Sequence, residues 1–342
     1  MTSPTYTEQI LTGSYVQSLV WAGDDLVDWV NGGVRYRLDG SVSDRTRGYS
    51  YCFDAAVSEP SGEYSVIYTK LGTKALVLQN GEIVRELNRS FYHAYTYEYP
   101  ITLLRRGDQI LAIHCPEEYN KLEIQDVVTG ELLTQRTSES GDFFHSRLAV
   151  SPGGRFLLSA GWCWHPWDAV VYYDLEAALK DPSHLDSVRW GVPPEGKPGC
   201  AEESTACWLR EGEVLLGAST EPETEEEARD PEVNRLKPSG LARYNIIDQT
   251  VRGVGVLDEP AGTLMPVGAT HAMAFYKYPR LIRLSDGHVE FSLPAISSGT
   301  QISSIVSKDH LPPPLALDSA HHRFAIAQGN KIHVISIVLP TN

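Results

Sequence analysis

Residues Leu148–Ala160 read LAVSPGGRFLLSA: a short apolar run, a Ser-Pro-Gly-Gly turn, an Arg, and an aromatic residue that opens a second apolar run. Proline donates nothing to a strand ladder and glycine supplies backbone angles that other residues avoid, so the stretch reads as an antiparallel hairpin closed by a tight polar turn. The same layout recurs in AAVSEPSGEYSVIY from Ala55 and LALDSAHHRFAIA from Leu315. Looser copies are SLVWAGDDLVDWV, ITLLRRGDQILAIH, ACWLREGEVLLGAS and TLMPVGATHAMAFY, which brings the number of hairpins to seven.

A second pattern follows each hairpin: GVRYRLDGSV, KALVLQNGEIVREL, KLEIQDVVTGELL, AVVYYDLEAALK, LARYNIIDQTVRGV, PRLIRLSDGHVEFSL and KIHVISI. Most are an alternating strand, a turn carrying Asp, Asn or Gly, and another strand, because a short side-chain carboxylate or amide closes such a turn locally. Four strands returning every ~40 to 50 residues is the period of propeller blades, each of which buries its faces only against its neighbours. A pair of β-sandwiches would also supply many short strands, but not one hairpin with one turn at a steady interval. The last copy lacks a fourth strand, and YTEQILTG at the start is a strand with no partner of its own. Pairing it beside KIHVISI would close the ring and remove an exposed edge. The expected fold is therefore all-β: a seven-bladed propeller of four-stranded antiparallel blades, one domain over residues 1–342, with the N-terminal strand closing the last blade.

The chain resembles the WD40 and YVTN-type seven-bladed β-propellers over most of its length, chiefly through LAVSPGGRFLLSA, LEIQDVVTGELL and VVYYDLEAAL. Asp126, Thr129 and Gly130, and Asp174 after Tyr173, stand where that family turns from its third to its fourth strand. The family's Gly-His before each first strand is missing, and the Trp167-Asp168 pair falls before a third strand instead of at its end. A divergent propeller is what the resemblance implies.

Composition narrows the function. A formal net charge of -15, from Lys+Arg 29 against Asp+Glu 44, runs against nucleic acid or an anionic membrane as partner. The N-terminal residues carry no basic-then-apolar leader pattern and no run approaches ~18 apolar residues, so neither secretion nor a membrane span is expected. Five cysteines at irregular spacing read as free thiols of a reducing compartment, and the expected location is cytoplasmic. Nothing in the sequence sets an oligomeric state.

In the resembled fold, connections from second to third strand and from blade to blade emerge on one face. That placement gathers WCWHPW (Trp162–Trp167) with RTRGYSYC from Arg45, RSFYHAYTYEYP from Arg89, EEYN and GDFFHSR from Gly141. An acidic insertion at about 220–240, in the fifth blade, borders the same side. The expected partner-binding residues are Trp162, Trp164, His165, Trp167, Tyr92, His93, Tyr95, Tyr97, Phe143, Phe144, His145, Arg147, Arg45 and Arg47. Aromatic and Arg side chains combine contact area with directional polar groups, the character of protein recognition surfaces.

Chemistry is less evident. Cys163, His165, Cys200, Cys207 and His145 have donor atoms suited to a metal, yet no CxxC or HxxxH pair fixes two on one element, so neither a metal nor another cofactor is expected. There is no G-x-S-x-G elbow, HExxH or phosphate loop. The expected function is a non-catalytic scaffold that binds a protein or peptide. The competing expectation is a propeller enzyme or small-ligand binder, lactonase-, dehydrogenase- or lyase-like, using the central cavity with His93, His145, Arg147 and His165 at its mouth.

Overall fold

The computed structural model describes residues 3–164, 167–188, 203–218 and 236–340. Of the acidic insertion expected at about 220–240, residues 220–235 lie outside the described residues, as do His165 and Cys200. Strand β1 (Thr5–Thr12) comes first in the chain but belongs to the last blade. Blade 1 holds β2 (Val20–Ala22), β3 (Asp25–Asp28) and β4 (Val34–Tyr36), and blade 2 holds β5 (Ala55–Ser58), β6 (Tyr64–Tyr68), β7 (Lys74–Gln79) and β8 (Glu82–Asn88). Blade 3 follows with β9 (Ile101–Arg106), β10 (Gln109–His114) and β11 (Glu123–Asp126), and blade 4 with β12 (Leu148–Val150), β13 (Phe156–Cys163) and β14 (Trp167–Asp174). Blade 5 is β15 (Glu203–Arg210), β16 (Glu213–Ala218), β17 (Gly240–Asn245) and β18 (Thr250–Val256). Blade 6 is β19 (Leu264–Val267), β20 (His271–Ala274), β21 (Arg280–Arg283) and β22 (Val289–Ser292). In blade 7, β23 (Leu315–Asp318), β24 (Arg323–Gln328) and β25 (Lys331–Val338) are completed by β1.

The ring is legible in its core. Each adjacent pair of blades shares its own apolar cluster, and there are seven such clusters, including one between blades 7 and 1. Strand alternation supplies both faces: Leu157, Val171 and Tyr173 pack toward blade 3, while Phe156, Leu158, Val170 and Tyr172 pack toward blade 5. Strand β1 pairs antiparallel with β25 from Thr5 opposite Val338 to Thr12 opposite Lys331, the closure expected from the sequence. Leu11 is its one buried residue, set in the cluster between blades 7 and 1.

The turns behave as their residues dictate. Ser151 closes the SPGG hairpin by accepting from Gly154 N–H on its carbonyl (2.8 Å) and from Phe156 N–H on its hydroxyl (2.9 Å), and Gly154 takes φ +77°. Ser151 also donates to Glu211 of blade 5 (2.9 Å), so the turn ties two blades together. Asp126 accepts from the N–H groups of Val128 and Thr129, and Gly130 follows at φ 80°.

Three blades depart from four regular strands. In blades 1 and 3 the fourth strand is reduced to single bridges, Tyr36–Val42 and Gln125–Leu132. In blade 4 the expected fourth strand is instead a helical turn, α1 (Leu175–Ala178), capped by Asp174, whose carboxylate accepts from Ala177 N–H. The reason is local: Leu-Glu-Ala-Ala are strong helix formers behind a good N-cap.

The candidate aromatic surface

The loop expected over Trp162–Trp167 is shorter than its sequence suggested. Trp162 and Cys163 end β13 and Trp167 and Asp168 open β14, paired Trp162 with Asp168 and Cys163 with Trp167. Gly161 explains what gathers there. A Cβ at that position would stand 1.9 Å from the Phe144 carbonyl oxygen, so glycine alone lets the blade 3–4 connection lie against β13. Phe144 and Trp162 then exchange backbone hydrogen bonds (2.8 and 3.2 Å), and their rings stack at 3.8 Å, 8° from parallel.

Further rings add to this pair from three other connections. Tyr119, between β10 and β11, stacks on Phe144 at 4.2 Å. Tyr92, between β8 and β9, lies 4.9 Å from Tyr119 and 6.3 Å from Trp164, and His93 stands edge-on to Trp164 at 5.0 Å. Tyr97 meets both Phe144 and Trp162 edge-on. The result has two layers. Tyr97, Phe144 and Trp162 form a base that is at most 2% exposed, and above it Tyr92 (46%) and Trp164 (41%) keep open ring surface.

Arg89 shapes the connection that carries Tyr92. Only 4% exposed, it donates to the carbonyls of Gly72, Lys70, Ala94, Tyr97 and Glu98 and stacks over the rings of Tyr97 and Tyr99. Burial pulls its guanidinium below its ordinary value, offset in part by the neighbouring tyrosines. Tyr95 (69%) and Phe91 (84%) project outward from the same connection.

The other expected contact residues lie elsewhere or are covered. Phe143 turns the opposite way from Phe144, into the core between blades 3 and 4, beside His145 at 5.1 Å. His145 is 1% exposed, its Nδ1 3.2 Å from the Ser159 hydroxyl, and burial lowers its pKa to about 3, so the ring is neutral and closed to any partner. Arg147 spans blades 4 and 5, donating to the carbonyls of Ala160 (3.0 Å) and Ser204 (2.6 Å). Arg45 and Arg47 are not part of the cluster: Arg47 pairs with Glu82, at the opposite end of β8 from Tyr92, and Arg45 donates to the Arg47 carbonyl. Trp167 is 45% exposed at the start of β14.

One feature of this face has no sequence signature. The connection between β22 and β23 reaches across the ring before entering blade 7. Ile305 bridges to Tyr97 and packs on the aromatic base, Val306 N–H donates to the Thr96 carbonyl (2.9 Å), and Ser304 donates both its N–H and its hydroxyl to Asp168. Asp168 is 4% exposed, and burial raises its carboxyl above the usual range despite Arg147 nearby and the Ser304 hydrogen bonds. Farther along the crossing, Leu311, Pro312 and Pro314 help line a cavity of about 320 Å³ with Asp54, Tyr68 and Glu98. There the Tyr68 hydroxyl donates to Glu98 (2.7 Å) and Asp54 accepts from Lys70 N–H (2.7 Å).

Among the described residues, no group of three or more His, Cys, Asp or Glu side chains is arranged to hold a metal ion. Cys52, Cys115 and Cys207 are free thiols. Burial pushes the Cys207 thiol up to about 12 and Cys115 higher still, so neither is a nucleophile near neutral pH.

Fold and site together define a seven-bladed β-propeller with an aromatic surface where the connections around blades 3 and 4 meet. No protein-family model and no curated protein matches this chain.

Proposed function

We propose that this propeller is a non-catalytic scaffold, of the divergent WD40-like kind, that binds a protein or peptide through the surface presented by Tyr92, Tyr95 and Trp164. The observation that carries the reading is the layering of that surface: exposed rings rest on the stacked, buried pair Phe144–Trp162, at 3.8 Å. Large rings held in place lose little side-chain freedom on binding, which makes such rings effective anchors. A reducing, cytoplasmic setting is supported by the free thiols Cys52, Cys115 and Cys207, and no described helix is long and apolar enough to cross a membrane. Incorporating a photo-crosslinking residue at Tyr95 tests the reading, with Ile247 (70% exposed), in the outer turn of blade 5, as control. Specific adducts at Tyr95 and none at Ile247 are expected, and equal labelling at both would refute it.

A second reading has one observation in its favour, the 320 Å³ cavity with Asp54, Tyr68 and Glu98 in its wall. A small-ligand binder or enzyme would use that space. A thermal-shift screen of sugars, lactones and nucleotides together with metal analysis separates the two readings. A clear shift, lost on Glu98→Gln, would favour the cavity.

A further inference from the structure

The chemistry of the partner is written in the charges around the aromatic surface. The crossing that carries Ile305 adds one exposed cation, Lys308, whose charge acts on Asp54, and the rings themselves come from four segments: 89–99, 115–122, 135–147 and the β13–β14 turn. Among their described residues every exposed charged side chain is a carboxylate: Glu117, Glu118, Glu139 and Asp142. The cations of the same segments are turned to other uses. Arg89 is buried among carbonyls, and the Lys121 ammonium is held by the Arg136 carbonyl at 2.8 Å. Arg136 pairs with Asp186 at 2.6 Å and lies near Glu123 at 3.4 Å, its side chain 6% exposed. Arg147 is committed to the two carbonyls of blades 4 and 5.

The acids adjoin the rings. The Tyr119 hydroxyl donates to Asp142 (2.7 Å), which places that carboxylate beside the stack of Tyr92, Tyr119 and Phe144, and Glu117 and Glu118 immediately precede Tyr119. Aromatic faces carry negative electrostatic potential and attract guanidinium or ammonium groups, most strongly at Trp. Carboxylates beside such rings extend that field and repel an acidic partner.

We infer that the segment bound at this surface is cationic: a stretch of chain that lays Arg or Lys side chains over Tyr92 and Trp164 and against Asp142, Glu117 and Glu118. The inference rests on the recognition reading above. Arginine suits the site better than lysine, because its planar group can stack on a ring while its N–H groups reach a carboxylate.

The probe is a random dodecapeptide library displayed on phage, selected against the full chain and counter-selected against the Tyr92→Ala/Trp164→Ala double variant. The expected outcome is enrichment of Arg- and Lys-rich peptides that bind at least tenfold more weakly to the double variant and to Glu117→Gln/Glu118→Gln/Asp142→Asn. Their affinity should also fall as salt rises. Enriched peptides that are neutral or acidic yet still need Tyr92 and Trp164 would overturn the cationic assignment and leave the scaffold intact. Basic peptides that bind the double variant equally well would also overturn it. If no peptide depends on these rings, the recognition reading fails with it.

Discussion

Phe144 and Trp162 are joined twice, by reciprocal backbone hydrogen bonds of 2.8 and 3.2 Å and by rings stacked at 3.8 Å. A connection between blades thereby continues the edge of blade 4 for one bridge and fixes the floor on which Tyr119, Tyr92 and Trp164 stand. That relationship separates buried residues that hold the fold from the exposed rings above them.

Trp162→Ala should therefore act on folding. Removing a fully buried aromatic side chain costs about 3 to 5 kcal/mol, whereas Trp164→Ala, at a site 41% exposed, should cost less than about 1 kcal/mol. Urea unfolding of the two variants measures the difference, and equal costs would mean the two-layer description is wrong.

Gly161→Ala probes the close approach itself. Its Cβ would stand 1.9 Å from the Phe144 oxygen, so the 141–147 segment must lift from β13. The expected outcome is faster amide exchange at Phe144 and Trp162 with slower effects elsewhere in the ring.

Arg89→Ala should destabilise the chain by about 3 kcal/mol, since a charged donor to several buried carbonyls is lost and those carbonyls are left unpaired. Arg89→Lys should recover only part of this, because one ammonium cannot reach five carbonyls spread around a planar fork. Thermal melts of both variants, with fluorescence of the aromatic cluster, check the order wild type, Lys, Ala.

Acid sensitivity follows from two buried histidines. Burial lowers His114 to about 4 and His145 to about 3 from an ordinary 6.5, so the unfolded chain takes up protons that the folded chain refuses. Their contribution is fully present above 6.5 and is lost as pH falls toward those lowered values, at up to ~1.4 kcal/mol per pH unit for each histidine. The His114→Gln/His145→Gln variant should show a shallower fall in stability between pH 6.5 and 4 than the wild type, read from denaturant midpoints.

Much of the architecture was readable from local pattern. Seven hairpins announced themselves because turn residues and two-residue alternation act over a few positions, as at Ser151–Gly154 and at Leu157 and Leu158, which face different neighbours. The same locality misled at LEAALK, where the blade repeat suggested a strand but Asp174 and its following helix formers made a helical turn. The surface was legible as a set of aromatic loops, though not in its layers. Trp162 lies in β13 and Trp164 just beyond its end, yet a segment from the preceding connection covers only the first. The hydrogen bonds from Ser304 to Asp168 span 136 residues, and no local pattern marks such a pairing. Loop type alone groups Arg45 and Arg47 with the cluster, while Arg47 pairs with Glu82 at the other end of β8 and Arg45 donates to the Arg47 carbonyl.

The most direct test of the proposed recognition role is quantitative affinity capture with the wild-type chain and the Tyr92→Ala/Trp164→Ala variant, matched for melting temperature. The account predicts that at least one interactor drops tenfold or more while the variant stays folded. An unchanged set of interactors on the folded variant would contradict it.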